Sequence, residues 1–336
     1  MKSRLFIVAA GVTLFLSLIL GFNLASASEI LMTPMAPLPQ GAADGASAVV
    51  GEYIYYLGGY GATDTNYLAH NQRYNTITNE WTQMVPLPHP RWGLAAAYLQ
   101  GSIYTFGGRN SSGFTDICEA YDVATNRWTS KTPLPYRNRS DMAVAIDDEY
   151  ILLFKNDLTN GLGVYKFDPR GNGGMGSYTW LTEQPESHGY GAAAYMIVNG
   201  EKRVYLLNGG GSGGISRYYS IDTNSFSSPL PSGPYGGAEI DGQLREMCGW
   251  GNKVYLAMGE YPFTGEVWSF DVLTQQWEYV CTGTARDGVM GGIVNGVLFV
   301  AGGRNTDSRP YGMTVNEAFR LDTPPAPTPP PTPVPN

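Results

Sequence analysis

Arginine side chains recur at a fixed distance before pairs of glycines. Arg91, Arg139 and Arg286 each lie 16 positions before the first residue of the slot that holds a glycine pair in most repeats of this chain. Arg109 and Arg304 directly follow such a pair. Guanidinium groups bind carboxylates through paired N–H donors and stack on aromatic rings. If the fold brings these loops to one surface, the arginines predict a site for anionic groups or sugar hydroxyls.

Aromatic and further polar residues fall in the same loops. The candidate ligand-binding residues are Arg91, Trp92, Arg109, Arg139, His188, Tyr190, Arg245, Arg286 and Arg304. Acid–base chemistry would need a carboxylate beside them, and the candidates are Glu260 and the neighbours Arg245 and Glu246. A catalytic role would also require a shifted pKa, which depends on burial and nearby charge.

The sequence has no recognisable motif for a metal or a cofactor. It contains three histidines and no HExxH, Cys-x-x-Cys, GxSxG or phosphate-loop pattern. We therefore expect no metal and no cofactor. Cys118, Cys248 and Cys281 cannot all pair with one another, so we also expect no structural disulfide.

The elements that position these side chains are copies of one repeat of roughly 50 residues. Most copies have an apolar run that ends in Gly-Gly and is followed by a Tyr or Phe. The aromatic pairs are Tyr74/Trp81, Tyr121/Trp128, Tyr219/Phe226 and Phe270/Trp277, with Phe167 and Trp180 in the third copy. The third copy has Lys155 and Asn156 in place of the glycines, and the sixth lacks the second aromatic. A repeat this short must stack on its neighbours to bury an apolar face.

Each repeat divides into four predicted strands. The first is rich in small residues, as expected where several sheets converge on one axis: Ala46 to Val50, Ala95 to Leu99, Met142 to Ile146 and Ala192 to Val198. Antiparallel strands place the loop before the first strand and the loop after the glycine pair on the same side. The arginines are therefore predicted to share one face.

The two ends of the repeat region are predicted to close the array. The segment Leu31 to Pro39 resembles the Trp-bearing segments that end in Pro-Leu-Pro, with Met32 at the position of the Trp. The sixth repeat lacks that segment. We therefore expect the N-terminal strand to complete the last repeat, which removes an open sheet edge.

Glycine pairs with spaced Tyr and Trp in register resemble the kelch repeat family, and the resemblance covers about residues 30 to 323. It implies an all-β fold, a six-bladed β-propeller of four-stranded antiparallel blades over residues 28–323. It also implies a structural alternative for the arginines, since kelch-type repeats commonly carry one before the inner strand. The two-His, two-Tyr and Cys set of galactose oxidase, a related propeller, does not match. Sialic acid mutarotases are similar propellers, but no Arg closely follows Glu260.

The termini have separate signatures. Residues 1–27 resemble an export signal with a basic start, an apolar stretch and Ala25-Ser26-Ala27 as the cleavage site, although an uncleaved anchor is the alternative. Residues 324–336 form a Pro-rich tail or spacer. The net charge of −8 argues against a nucleic-acid partner.

These features favour an exported, monomeric binding module that recognises a protein or glycan through the arginine-bearing face. No membrane insertion is expected once the signal is removed. Two alternatives remain: a sugar mutarotase or epimerase of the sialic acid type, and a non-catalytic structural protein of the cell surface.

Overall fold

The computed structural model describes residues 31–61, 63, 65–156, 161–188, 193–207, 215–233, 247–259, 264–305 and 312–321. Within these residues the chain forms 26 strands and one helical turn, Gly171–Gly174 (α1). The first strands are Thr33–Pro34 (β1), Ala46–Val50 (β2), Tyr53–Leu57 (β3), Asn71–Asn75 (β4), Glu80–Gln83 (β5), Ala95–Leu99 (β6), Ser102–Phe106 (β7), Arg109–Asn110 (β8), Gly113–Phe114 (β9), Cys118–Asp122 (β10), Arg127–Ser130 (β11), Met142–Ile146 (β12), Tyr150–Asn156 (β13) and Leu162–Asp168 (β14). The others are Ser177–Thr182 (β15), Ala193–Val198 (β16), Glu201–Leu206 (β17), Arg217–Ser220 (β18), Ser225–Phe226 (β19), Met247–Trp250 (β20), Lys253–Gly259 (β21), Thr264–Asp271 (β22), Gln276–Thr282 (β23), Asp287–Val294 (β24), Val297–Arg304 (β25) and Asn316–Arg320 (β26).

Six four-stranded antiparallel sheets form the blades of a β-propeller. From the innermost strand outward, blade 1 is β2-β3-β4-β5, blade 2 is β6-β7-β10-β11 and blade 3 is β12-β13-β14-β15. Blade 4 is β16-β17-β18-β19, blade 5 is β20-β21-β22-β23 and blade 6 is β24-β25-β26-β1. The innermost strands of successive blades contact one another around the axis, including β2 with β24. The predicted fold class is therefore confirmed.

The N-terminal strand closes the ring as predicted. Thr33 and Pro34 of β1 pair with Ala318 and Glu317 of β26, and so supply the outermost strand of blade 6. Met32 is 5% exposed and packs in the apolar cluster between blades 5 and 6. Strands from opposite ends of the chain thus share one sheet, which removes the edge that an open array would leave.

Aromatic side chains of the outermost strands join several blades to the one before. The indole Nε1 of Trp81 donates to the Ala36 carbonyl oxygen at 2.8 Å, and Nε1 of Trp128 donates to the Val85 carbonyl oxygen at 2.9 Å. Both rings also contact the Tyr of the adjacent strand, with centroids 4.8 Å apart for Tyr74 and Trp81. The recurring aromatic residues therefore pack against each other within a blade, and the indole N–H forms a hydrogen bond to the preceding blade.

The aromatic pair predicted for blade 3 was wrong. Phe167 lies opposite Tyr178, whereas Trp180 pairs with Tyr165 and is 56% exposed. The insertion that contains α1 lengthens the connection between β14 and β15, so Tyr178 falls opposite Phe167 and Trp180 lies two positions farther along β15. The Tyr178 hydroxyl takes over the inter-blade hydrogen bond, donating to the Thr132 carbonyl oxygen at 2.9 Å.

Two cysteines lie inside the sheets. Cys118 and Cys281 are buried free thiols, and burial raises the pKa of each to about 12. They are therefore inert apolar packing groups near neutral pH. In the described parts of the chain, no helix is both long and apolar enough to cross a membrane.

Candidate functional site

The loops that precede the innermost strands meet the loops that follow the glycine pairs. The backbone of Trp92 exchanges two hydrogen bonds with that of Arg109, at 3.1 and 2.7 Å. Ala43 and Tyr60 are joined in the same way one blade earlier. These contacts define one side of the propeller, the loop face, where the sequence placed the arginine set.

Arg91 lies inside blade 2 rather than on the loop face. Its side chain is 0% exposed, and Nη1 donates to Oε2 of Glu119 at 2.7 Å. Its Nε donates to the Gly107 carbonyl oxygen at 2.9 Å, and its Nη2 donates to the Thr105 hydroxyl at 2.9 Å. The guanidinium therefore holds strands of its own blade together and has no exposed surface to offer a ligand.

Arg286 repeats this arrangement in blade 6. Its side chain is also 0% exposed, and Nη1 donates to Oε2 of Glu317 at 2.5 Å. The same nitrogen donates to the Thr284 carbonyl oxygen at 2.8 Å, and Nη2 donates to the Val300 carbonyl oxygen at 3.1 Å. Arg91 and Arg286 are thus equivalent, and their placement follows the structural alternative for these two residues.

Arg139 is not equivalent to Arg91, although the spacing of 16 residues is the same. The turn between β6 and β7 has two residues, whereas the turn between β12 and β13 has three, because Ile146 pairs with Tyr150. Because of this extra residue, the same spacing from the glycine slot corresponds to a different position in blade 3. Asn138 therefore takes the place of Arg91: its carbonyl oxygen accepts from Gly108 as that of Arg91 accepts from Gly59.

Arg139 instead occupies the position of Trp92, on the loop face. Its guanidinium carbon lies 4.7 Å from the centroid of the Trp92 ring and 5.4 Å from that of Phe114. The guanidinium carbon of Arg109 lies 5.8 and 5.9 Å from the same two rings. We call Trp92, Arg109, Phe114 and Arg139 the cation–aromatic cluster.

A small hairpin holds this cluster in place. Strands β8 and β9 pair Arg109 with Phe114, and the Trp92 backbone pairs with Arg109 on the other side. Phe114 is 46% exposed and Arg109 is exposed, while Trp92 is buried. The cluster thus presents an aromatic surface with two cations above a rigid base.

Two positive charges converge on the cluster. Among the described residues, no carboxylate lies within ion-pair distance of Arg109. Each guanidinium carries several N–H donors in a planar fork. The arrangement can therefore bind carboxylate or phosphate groups while the rings contact apolar atoms.

Arg304 is paired within its own blade. Its Nε and Nη2 donate to the two carboxylate oxygens of Asp287, each at 3.0 Å. Burial raises the pKa of Asp287 to about 6, while the guanidinium of Arg304 opposes that shift. Arg304 is the last residue of β25, and its charge is balanced by Asp287.

The remaining predicted site residues fall into two groups. His188 is buried, at 1% exposure, at the junction of blades 3 and 4. Tyr190, Arg245, Glu246 and Glu260 lie outside the described residues. Among the described residues, no three His, Cys, Asp or Glu side chains come together in a way that could hold a metal ion.

Sequence reasoning missed Phe114 and the partner carboxylates Glu119 and Glu317. A signal for Phe114 was present, because a large apolar residue in the polar run Asn110 to Gly113 has no place in the strand pattern. Each glutamate is the second residue of the third strand of its blade. Only the structure shows that an arginine side chain reaches it.

The described residues form a six-bladed propeller and contain no cluster of side chains that could hold a metal ion. The kelch motif matches residues 42–88 and 90–135. These motif matches and the six-bladed fold support a kelch-repeat β-propeller family for this chain.

Similar proteins carry the same repeats in longer chains. The chain is 26% identical over 327 residues to Kelch-like protein terF of Aspergillus terreus, covering 86% of this chain and 59% of that protein. It is 30% identical over 79 residues to human Kelch-like protein 23, covering 23% of this chain and 14% of that protein. It is 37% identical over 68 residues to an F-box/kelch-repeat protein of Arabidopsis thaliana, covering 20% and 18%. The chain thus spans less than two thirds of the length of each of these relatives.

Proposed function

We propose that this chain is a kelch-repeat binding module that recognises an acidic segment of a protein partner through the cation–aromatic cluster. One observation carries the proposal: the guanidinium groups of Arg109 and Arg139 both lie over the rings of Trp92 and Phe114. Kelch propellers typically act as protein-binding modules, and a rigid scaffold with variable loops suits that use.

The chemistry of the cluster favours a protein segment that combines carboxylates with apolar side chains. Exposed aromatic rings and arginines are the residue types enriched where proteins bind one another. The chain as a whole has a net charge of −8. An acidic partner would be repelled elsewhere and attracted to this basic patch, which gives orientation as well as affinity.

The proposal includes export of the module, for which the support is the signal-like sequence of residues 1–27. Amino-terminal sequencing of the protein purified from its native source tests this part. A mature chain that begins after Ala27 is expected, and a chain that retains Met1 in the cytoplasm would contradict it. A glycan ligand and a sugar mutarotase activity have no comparable support, since Glu246 and Glu260 lie outside the described residues.

A peptide-display selection tests the binding proposal and does not require the partner to be identified first. A random peptide library is selected on the wild-type protein and counter-selected on the variant Arg109→Ala/Arg139→Ala. We expect the surviving peptides to be enriched in Asp and Glu next to an apolar residue. Peptides without such enrichment, or peptides that bind the double variant equally well, would refute the assignment.

Arg137 offers a matched control. It lies in the same loop as Arg139, its side chain is 72% exposed, and its Nε is 3.5 Å from Oδ2 of Asp116. Arg137→Ala therefore removes one positive charge from the same surface without touching the cluster. Selected peptides should bind this variant nearly as well as the wild type, which separates the cluster from general surface charge.

A further inference from the structure

Two asparagines of the chain begin an Asn-x-Ser triplet, the acceptor motif for N-linked glycans. The triplets are Asn110-Ser111-Ser112 and Asn138-Arg139-Ser140. The motif requires a Ser or Thr two positions after the asparagine and excludes proline between them. An attached glycan is bulky and polar, so a folded protein accommodates it only where the asparagine faces solvent. The surroundings of each asparagine therefore decide whether its triplet can carry a glycan.

Asn138 lies inside the junction of blades 2 and 3. The residue is 4% exposed, and its Nδ2 donates to Oδ1 of Asp141 at 2.5 Å. Its carbonyl oxygen accepts from the Gly108 amide at 2.8 Å. Ser140, the third residue of the triplet, is 6% exposed. A glycan on Nδ2 of Asn138 would replace a buried hydrogen bond and separate the two blades. The fold therefore excludes a glycan at Asn138.

Asn110 lies in the hairpin that β8 and β9 form on the loop face. It is half-buried, and the two serines that follow it, Ser111 and Ser112, are both exposed. Oδ1 of Asn110 accepts from the Ser112 amide at 2.8 Å, which orients the side-chain amide. Unlike the second triplet, this one has its third residue open to solvent. A transferase can reach the whole triplet without unfolding a blade.

The side chain of Asn110 faces the open side of this hairpin. Asn110 pairs with Gly113, whereas Arg109 pairs with Phe114. Successive residues of a strand point to opposite sides, so Asn110 and Gly113 share the side away from Arg109 and Phe114. A Cβ added at Gly113 would meet no described atom within 4 Å. This side of the hairpin therefore has room for a sugar, and the cation–aromatic cluster lies on the other side.

We propose that Asn110 is an acceptor for an N-linked glycan in the exported protein. The inference rests on the export that is part of the proposed function, because N-linked glycans belong to secreted chains. It does not depend on the proposed recognition of an acidic protein segment, since the glycan leaves the hairpin on the side away from the cluster.

The donor is an oligosaccharide linked through C1 of its first sugar to a polyprenyl diphosphate. Nδ2 of Asn110 forms a bond to C1 and gives up one proton to a base of the transferase. The bond between C1 and the diphosphate oxygen breaks, and the polyprenyl diphosphate leaves with the electron pair of that bond. The transfer oxidises and reduces nothing.

Mass spectrometry of the protein purified from its native source tests the inference. Electron-transfer dissociation keeps a glycan on its side chain, so the fragments of a proteolytic peptide locate it. We expect a glycan on Asn110 and none on Asn138. An unmodified Asn110 would overturn the inference, and a glycan on Asn138 of the folded protein would contradict the argument from burial.

Amino-terminal sequencing of the same sample separates failure of this inference from failure of export. An unmodified Asn110 in a chain that begins after Ala27 overturns the glycan and leaves export standing. An unmodified Asn110 in a chain that retains Met1 overturns both.

Two serine variants of the full chain form a matched pair. Ser111 and Ser112 are both exposed in the same turn, so neither Ser111→Ala nor Ser112→Ala is expected to change the Tm measurably. Ser112→Ala removes the third residue of the triplet and should abolish the glycan, whereas Ser111→Ala keeps the triplet and should retain it. Retention of the glycan in both variants, or its loss in both, would overturn the assignment to this triplet.

Discussion

Arg91 and Arg139 stand before the innermost strands of neighbouring blades, yet they lie in opposite environments. The side chain of Arg91 is 0% exposed and bonded to Glu119, whereas that of Arg139 lies over the Trp92 ring on the loop face. One extra residue in the turn between β12 and β13 separates the two cases. In β-structure a shift of one residue moves a side chain to the other face. A hairpin on the far side of a blade therefore decides whether an arginine is buried within the blade or lies on the loop face.

The largest expected effect is on the buried arginines. Arg91→Ala and Arg286→Ala should each lower the free energy of unfolding by about 3–5 kcal/mol, because the buried carboxylate of Glu119 or Glu317 would lose its guanidinium partner. Urea unfolding followed by tryptophan fluorescence measures this. A loss below about 1 kcal/mol, the range of exposed pairs, would show that the burial of these arginines is not what stabilises the blades.

A double-mutant cycle tests the buried ion pair between Arg91 and Glu119. Arg91→Met combined with Glu119→Leu replaces both charged groups by apolar ones and should lose much less stability than the two single changes together. We expect a coupling energy of about 1–3 kcal/mol, as for directly bonded buried partners. Additive losses would mean that the ion pair is not the relevant contact.

The pH dependence of stability tests the buried carboxylate beside Arg304. Because burial raises the pKa of Asp287 from 3.8 to about 6, the folded state keeps this proton between about pH 4 and 6, where the unfolded state has released it. Stability from this group is therefore lost as pH rises through that window. Relative to Asp287→Asn, the wild type should lose about 1–3 kcal/mol between pH 4 and 7.

The buried histidines do not affect the difference in stability between the wild type and Asp287→Asn. Burial lowers the pKa of His70 and His188 to about 4, so both make the fold more stable as pH rises, the opposite direction. Since both proteins retain them, their contribution cancels in the difference between wild type and Asp287→Asn. A difference that stays constant from pH 4 to 7 would contradict the raised pKa of Asp287.

The smallest expected change concerns the two arginines of the cation–aromatic cluster. Arg109→Ala and Arg139→Ala should each alter the free energy of unfolding by no more than about 1 kcal/mol, the value of an exposed cation–π contact. Arg137→Ala serves as the control and should change it by no more than about 0.5 kcal/mol. Thermal unfolding measures all three. A loss of stability as large as that of Arg91→Ala would show that Arg109 or Arg139 stabilises the fold.

The sequence was sufficient for the fold because the repeat pattern is redundant. Strands β2, β6 and β12 begin and end where the small-residue runs predicted, and β16 differs by one residue. The N-terminal strand joins blade 6 as predicted, since Met32 could be aligned with the Trp of other repeats. Every blade is built from the same four-stranded sheet, so an irregular copy of the repeat does not change the architecture.

The site was less predictable because it depends on departures from the repeat. Equal spacing from the glycine slot grouped Arg139 with Arg91 and Arg286, and the spacing gave no hint that a turn had gained a residue. The same limit applies to Trp180, because the length of the connection around α1 puts Tyr178 opposite Phe167 and in the inter-blade position. Partners such as Glu119 come from strands far along the chain, and their contacts are set only by the packed blade.

The central claim is that Arg109 and Arg139 contact the partner while the buried arginines hold the blades. Isothermal titration of an acidic peptide selected on the wild-type protein tests it most directly. The account predicts that Arg109→Ala/Arg139→Ala weakens binding at least about tenfold, or about 1.4 kcal/mol, while Arg137→Ala stays within about twofold. Equal affinity for the wild type and the double variant, with both fully folded, would contradict it.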